Sequence, residues 1–378
     1  NKNYMKGFIT DLSAKLFIQN IYRDVEDIPN SIVTFPASGT NPAKRITNIS
    51  IYPDGEHYSK GFIFQADFKT KKNNKLIGGI DAWQRKLSTS RVTTQKIETL
   101  DSNNNLTSTT LQTTGDTPIP ESSYSSIGIF AQDELSILND KIYLNLSGRV
   151  DGIYISNEKS VSPLYVIKNG VINNNSSNQK VLWEAFSDND FAWSFNTGAN
   201  YKFTDELNFA FNFSGSFRSP SLEERYQYID LGSVVRIGNP YLQPEHGYFV
   251  STSLKYWSEN INISLELFSN YLSDLVTEIP GTYENRPALI KTNIGNARLA
   301  GFDAEMEFNF YKSLVLYGNA SFVNGENLDN NSALPQIPPF NGRIGFKYNV
   351  ANIASLNFNS VIFSGQNRIA KGETLTSG

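Results

Sequence analysis

The fold is decided by the stretch Leu207-Asn208-Phe209-Ala210-Phe211-Asn212-Phe213-Ser214-Gly215-Ser216-Phe217-Arg218. Its odd-numbered positions hold one Leu, four Phe and a Gly, whereas its even-numbered positions hold small or polar side chains and an Arg. A period of two places the two sets on opposite faces of an extended chain. The stretch therefore predicts a β-strand with one apolar and one polar face.

Similar alternation recurs along the chain and predicts an all-β protein. Trp193 and Phe195 alternate with Ser194 and Asn196, and other segments follow the same rule. The predicted strands are residues 7–19, 57–69, 76–86, 124–136, 142–155, 191–203, 207–218, 247–257, 261–275, 297–311, 314–325, 342–350 and 354–365.

The connectors between these strands alternate in length. Short polar turns fall at 71–74, 139–140, 204–206, 258–260 and 312–313, where Asn, Asp and Ser suit tight backbone conformations. The long connectors are 20–56, 87–123, 156–190, 219–246, 276–296 and 326–341. A membrane barrel has short turns on one side and long loops on the other, so the alternation predicts a transmembrane antiparallel β-barrel.

Composition supports a membrane barrel and excludes other classes. No stretch approaches the roughly 20 consecutive apolar residues of a spanning helix. Aromatic residues make up 13% of the chain, and such side chains favour membrane interfaces. A net charge of −4 and a pI near 5.4 give no basis for nucleic-acid binding. Because cysteine is absent, disulfides and thiolate metal sites are excluded.

A large soluble β protein with one solvated face would also alternate. Predicted strands of eleven or more residues, however, exceed the five or six that are usual in soluble sheets. The chain starts within a predicted strand at its N-terminus and ends in a polar stretch. We therefore expect residues 1–378 to be an interior part of a longer barrel.

The chain contains little that indicates catalysis. Its two histidines, His57 and His246, lie far apart in sequence, and no Gly-x-Ser-x-Gly element is present. Asp303, Glu305 and Glu307 share one face of a predicted strand. They are expected to form part of a polar lumen wall, with general acid–base chemistry as the alternative. We predict no enzyme, no cofactor and no metal site.

Two boxes flank one long connector. The first includes Phe217, Arg218 and Pro220, and the second, within Asn239-Pro240-Tyr241-Leu242, includes Asn239, Pro240 and Leu242. They resemble the Phe-Arg-Ala-Pro and Asn-Pro-x-Leu boxes of TonB-dependent outer-membrane receptors. Further segments resemble the same family, namely 129–134, 148–151, 270–275, 293–297 and 301–305.

The resemblance implies a 22-stranded barrel with an N-terminal plug. About thirteen of those strands are predicted here, so the plug and the first and last strands are expected to lie outside residues 1–378. The resemblance also implies the Gram-negative outer membrane, contact with its lipid, and a TonB complex that acts through the missing N-terminal region. The implied function is import of a ferric siderophore or haem captured by extracellular loops.

Loop 219–246 holds the candidate ligand-binding residues. Guanidinium groups can bind carboxylates and aromatic rings can stack on a flat ligand, although packing of loop against loop is the alternative. The haem branch of the resembled family has a histidine between the two boxes, but residues 221–238 contain none. The candidates are Arg225, Tyr226, Tyr228, Arg236 and Tyr241, with His246 as a substitute for that histidine.

Two other functions stay open at this point. A passive porin or a structural outer-membrane barrel would show the same strands without a plug or a need for TonB. A secreted β-rich glycosidase would use the face of Asp303 and Glu305.

Overall fold

The computed structural model describes residues 8–29, 32–71, 73–175, 179–231, 234–311, 313–350, 353–370 and 372–378. Almost all regular structure in these ranges is β-strand, and none of their helices is long and apolar enough to cross a membrane. The predicted turn residues Lys72 and Lys312 lie outside the described residues, as do Ser176, Ser177 and Asn178 of a predicted loop.

The structure contains long strands, short strands and one short helix. The long strands are β1 (Ile9–Asp24), β3 (Ala43–Lys71), β4 (Asn74–Leu100), β6 (Ser122–Ile137), β7 (Ile142–Asn157), β12 (Phe186–Lys202), β13 (Leu207–Arg218), β16 (Glu245–Trp257), β17 (Ile261–Ser273), β20 (Asn296–Tyr311), β21 (Leu314–Asn327), β23 (Asn341–Val350) and β24 (Ala354–Phe363). The elements of the connectors are β2 (Ile32–Phe35), β5 (Leu106–Asp116), β8 (Ser160–Ser162), β9 (Tyr165–Lys168), β10 (Val171–Asn173), β11 (Lys180–Trp183), α1 (Leu222–Tyr226), β14 (Tyr228–Asp230), β15 (Val235–Ile237), β18 (Val276–Tyr283), β19 (Arg286–Asn293) and β22 (Ser332–Ala333).

The thirteen long strands correspond one to one to the thirteen predicted strands. Each pairs antiparallel with the next long strand in the chain, from β1 with β3 through to β23 with β24. The all-β antiparallel prediction is therefore confirmed, and the sheet is a continuous meander.

The alternation of connectors is also confirmed. Tight turns follow β3, β6, β12, β16, β20 and β23, and all lie at one end of the sheet. The connectors at the other end hold α1 and all of the short strands. Every candidate ligand-binding residue therefore lies at the end opposite the tight turns.

Two of the predicted connectors are wrong in part. Residues 43–56 and 87–100 were expected to be irregular, but β3 and β4 continue through them and pair from Ala43↔Leu100 down to Lys71↔Asn74. Polar side chains on both faces hide these extensions from a pattern search, because alternation marks a strand only where one face is apolar. At 29 residues, β3 is about 95 Å long.

The register confirms the predicted two faces. Phe302 and Met306 of β20 lie on the apolar face, here called the outer face, together with Leu265 of β17. Asp303 and Glu305 lie on the opposite inner face, beside the β17 residues Glu266 and Ser264. The carboxylates of β20 thus line a polar wall, as predicted.

The apolar stretch of the outer face matches the thickness of a bilayer. On β17 it runs from Ile261 to Tyr271, interrupted only by Ser269, which is about 33 Å along the strand. With the tilt of about 40° that barrels adopt, this spans about 25 Å, the height of the apolar band of outer-membrane barrels. Rings of Tyr201 and Phe203 pack 4.5 Å apart at the turn end of the outer face, where an aromatic girdle is expected.

Replacing Leu265 with Arg should destabilise the full-length protein by about 2–4 kcal/mol, because the outer face would then place a charge in lipid. Leu265 is 40% exposed in the structure. The control is Ser264→Arg, which puts the same side chain on the inner face opposite Glu305. Urea titration in lipid vesicles, followed by heat-modifiable gel migration, measures the unfolding free energy of both variants. Equal losses would contradict the assignment of faces.

Candidate functional site

Loop 219–246 folds around the short helix α1. Ser221 is its N-cap: the Ser221 hydroxyl accepts from the backbone N–H of Glu224 (3.2 Å), and the Glu224 carboxylate accepts from the N–H of Ser221 (2.9 Å). This capping box fixes the start of the helix directly after the Pro220 of the first box. Its Ser-x-x-Glu spacing was readable in the sequence and predicts a helix start that the strand pattern misses.

Arg218 of the first box joins three elements at the end of β13. Its guanidinium donates twice to Glu245 of β16, at 2.6 Å each, and twice to Glu224 of α1, at 2.8 and 3.1 Å. The Glu245 carboxylate also accepts from the backbone N–H of Val276, the first residue of β18 (2.6 Å). Burial alone would raise the pKa of Glu224, but the hydrogen bonds from Arg218 and from the Ser221 N–H hold that pKa below its usual value.

Arg225 joins α1 to the second box and to β12. It is fully buried, donates to the carbonyl oxygen of Pro240 (2.7 Å), and pairs with Asp190 of β12 (3.1 Å) and Asp188 (3.5 Å). A buried guanidinium requires such partners because desolvation of an unpaired charge is costly. Arg225 therefore holds the second box against the helix and the strand wall.

Gly238 makes the close approach of α1 and the second box possible. A Cβ atom at this position would lie 2.7 Å from the carbonyl carbon and oxygen of Arg225 and 2.8 Å from the carbonyl oxygen of Glu224. The next residue, Asn239, donates its N–H to that same oxygen of Glu224 (3.1 Å). We call Arg218, Glu224, Arg225, Gly238, Pro240 and Glu245 the box cluster.

The box cluster packs against a buried apolar cluster. Leu222 and Tyr226 of α1 are fully buried and pack with Leu87, Ile119, Ile153, Ile155 and Ala192. Burial raises the pKa of Tyr226 to about 12, which keeps its phenol neutral near pH 7. Phe217 of the first box packs against the same apolar cluster, and Pro220 and Leu242 are nearly inaccessible to solvent.

Three connectors join beyond the box cluster. β15 pairs parallel with β19, so loop 219–246 and the β18–β19 hairpin share one small sheet. Lys180 of β11 lies over the rings of Tyr228 and Tyr283, at 5.6 and 5.1 Å, and forms an ion pair with Glu284. Cation–π contacts of this kind stabilise by about 0.5–2 kcal/mol each. Lys180 thus links connector 156–190 to the other two.

Further polar contacts reinforce this connection. Arg286 donates to both carboxylate oxygens of Asp230, at 2.7 and 2.6 Å. Asn293 accepts from the N–H of Gln243 and donates to its carbonyl oxygen, both at 2.9 Å. Sequence reasoning missed Lys180, Asp230 and Arg286, because no local pattern relates residues from separate connectors.

The candidate ligand residues divide by exposure. Tyr241 is 70% exposed, and the side chain of Arg236 is 41% exposed while it donates to Glu278 (2.6 Å). Arg225, Tyr226 and Tyr228 are buried, so we place them among the packing residues of the loop and not among those that face a ligand. His246 lies in register with Phe217 and Ser273 and shares the outer face with Tyr248.

A basic and aromatic wall lies on the inner face below α1. Arg85 of β4 forms an ion pair with Glu223 of α1. His57 of β3 shares this face and lies close enough to Arg85, Glu223 and Arg23 to feel their charges. The rings of Trp83 and Tyr124 stack 5.0 Å apart at the same level. We call Arg23, His57, Trp83, Arg85 and Tyr124 the inner wall; it offers stacking faces and cationic donors.

Replacing Gly238 with Ala should open loop 219–246, because the added methyl group collides with backbone atoms that have no room to move. The expected result in the full-length protein is faster tryptic cleavage at Arg236. Gly148→Ala is the matched control, since the nearest heavy atom to its Cβ would be 4.0 Å away. Equal cleavage of both variants and the wild type would disprove the proposed role of Gly238.

Comparison with known proteins gives the family. Residues 3–376 match the family model described as "TonB dependent receptor-like, beta-barrel". Over 204 residues the chain is 26% identical to "Heme/hemopexin utilization protein C" of Haemophilus influenzae (strain 86-028NP), a match that covers 48% of this chain and 28% of that protein.

Two solved structures share the fold. The "Copper transporter OprC" superposes with a TM-score of 0.66 at 15% identity, over 98% of this chain and 52% of that one. The unliganded ferric citrate transporter FecA gives a TM-score of 0.53 at 13% identity, over 93% of this chain and 47% of that one. The chain thus spans about half the length of these transporters. The thirteen long strands are part of an outer-membrane barrel, and the chain belongs to the TonB-dependent receptor β-barrel family.

Proposed function

We propose that the full-length protein captures a ferric siderophore or haem in its extracellular loops and imports it with energy delivered through TonB. The observation that carries this proposal is the inner wall, which combines two guanidinium groups and an imidazole with a stacked Trp–Tyr pair. Such a surface suits a ligand that is both anionic and aromatic.

The loops supply a second set of contacts above that wall. Tyr241 presents an exposed ring that meets Phe186 edge to face at 5.5 Å. Arg236 keeps part of its guanidinium accessible beside Glu278. Both side chains project from the segment that the box cluster anchors, so the protein positions them without ordering a free loop on binding, which limits the entropic cost.

Either ligand class fits this chemistry. The similarity to the heme/hemopexin utilization protein supports haem as the ligand. Residues 221–238, however, contain no histidine that could bind the haem iron. Tyr226 and Tyr228 do not replace it, because both are buried and burial raises the pKa of each phenol. A porphyrin or a catecholate chelate would instead stack on Trp83 and Tyr124 and direct its carboxylates or phenolates to Arg85.

Energy coupling is tested with whole cells that express the full-length protein. Uptake of the iron source should stop when TonB is deleted, while binding to the cell surface persists. Uptake that continues without TonB would favour a passive barrel instead. Growth on haem and on a panel of ferric siderophores, each as the only iron source, separates the two ligand classes.

Truncating Tyr241 to Ala should weaken ligand binding about tenfold, as expected for the loss of one aromatic contact to the ligand. The control is Tyr311→Ala, because Tyr311 is similarly exposed, at 66%, but lies beside a tight turn at the opposite end of the sheet. Binding to whole cells at 4 °C measures capture without transport. Unchanged affinity for every ligand of the panel in the Tyr241 variant would refute the contact.

A further inference from the structure

One ion pair connects α1 to the inner wall. The first turn of α1 carries two adjacent glutamates, and each pairs with an arginine of a different strand. Glu224 pairs with Arg218 of β13, within the box cluster, whereas Glu223 pairs with Arg85 of β4, within the inner wall. In the protein without ligand, the short helix therefore neutralises a guanidinium of the surface that the proposed function assigns to ligand binding.

The Arg85–Glu223 pair has fewer hydrogen bonds than other arginine pairs at this end of the sheet. Arg218 donates four hydrogen bonds to two carboxylates. Arg91 and Arg286 each donate to both oxygens of one carboxylate. Among the residues that the structure describes, Arg85 donates only through Nη2, to one oxygen of Glu223. Bidentate contacts of a guanidinium are the stronger ones, so this pair is the easier one to exchange.

Both partners of this pair are accessible beside the stacked rings of the inner wall. The side chain of Arg85 is 26% exposed and that of Glu223 is 35% exposed. Arg85 lies directly opposite Tyr124 in the register of β4 and β6, and two residues from Trp83 on the same face. The rings of Trp83 and Tyr124 stack 5.0 Å apart. A flat ligand on these rings would therefore bring an anionic edge to Arg85.

Glu223 is the carboxylate that an incoming anion meets at Arg85. Asp188 and Asp190 lie farther along the inner face, on β12, and both pair with Arg225. A guanidinium between a protein carboxylate and a ligand carboxylate would bring two like charges close together, which is unfavourable. A ligand that takes the place of Glu223 avoids this repulsion, because the displaced carboxylate can turn to water.

We propose that Glu223 is a specificity-determining residue, which the ligand displaces from Arg85; this inference rests on the proposed function. A planar group with two anionic oxygens, such as a carboxylate or a catecholate, can accept from two N–H groups of Arg85 at once and so forms the bidentate contact that Glu223 lacks. The helix stays in place, because Glu224 and Arg225 keep their own partners. A ligand without such a group cannot replace the lost ion pair, so Glu223 selects against it.

The test is a double-mutant cycle in the full-length protein, with haem and a ferric tris-catecholate chelate as the anionic probes. Binding to whole cells at 4 °C is measured for the wild type, E223Q, R85Q and R85Q/E223Q. E223Q should bind the captured probe about fivefold more tightly, because a partly exposed ion pair no longer has to be broken. R85Q should bind it about tenfold more weakly, through loss of hydrogen bonds to a charged group. The double variant should bind like R85Q, since Glu223 then has no guanidinium to hold.

E184Q is the matched control, because it removes the same charge from another ion pair of the long connectors, that of Glu184 with Lys159 (3.2 Å). It should bind both probes like the wild type. Equal or weaker binding by E223Q, or a gain that persists when Arg85 is also replaced, would overturn the role of Glu223 and leave the proposed ligand capture intact. Failure of the wild type to bind either probe would instead refute the proposed capture, and this inference with it.

Discussion

The structure depends on the pairing of each long strand with the next one in the chain. A backbone N–H or C=O left unpaired in hydrocarbon costs several kcal/mol, so strands that cross lipid have to form a continuous ladder. Antiparallel neighbours with tight turns meet this requirement in sequence order, from β1 to β24. Once that ladder fixes the register, alternation along each strand determines which side chains meet lipid and which line the interior. The long connectors are then brought together at one end.

The two sequence boxes act through one network of charges and close backbone contacts. Arg218 connects the end of β13 to the start of β16, and Arg225 connects α1 to the second box and to β12. The loop between the boxes is therefore anchored at its base and at its middle. This arrangement gives Arg225 a structural role, although the residue type alone would predict that an arginine in such a loop contacts the ligand. Side chains that the network holds but does not bury, such as Tyr241, stay accessible from outside the loop.

Strand positions could be predicted from the sequence because lipid imposes a strict period of two on every crossing segment. The prediction failed at residues 43–56 and 87–100, where β3 and β4 leave the apolar region and both faces become polar. Burial of Arg225 could not be predicted either, since its partners Asp190 and Pro240 lie 35 and 15 residues away in sequence. Local patterns do not encode such contacts. The capping box at Ser221 was a local signal, and it was readable.

The extension of β3 and β4 projects far beyond the apolar part of the sheet. Beyond the pair Lys60 and Gln84, the strands continue to Ala43 and Leu100, about 50 Å farther along the ladder. The tip beyond Leu100 is a compact turn in which the Asp101 carboxylate accepts from the N–H groups of Asn103 and Asn105. A macromolecule that approaches from the side of the long connectors can therefore meet this tip far from the apolar face of the sheet. An epitope tag inserted between Asn103 and Asn104 would be displayed away from the apolar face of the sheet and would leave loop 219–246 undisturbed.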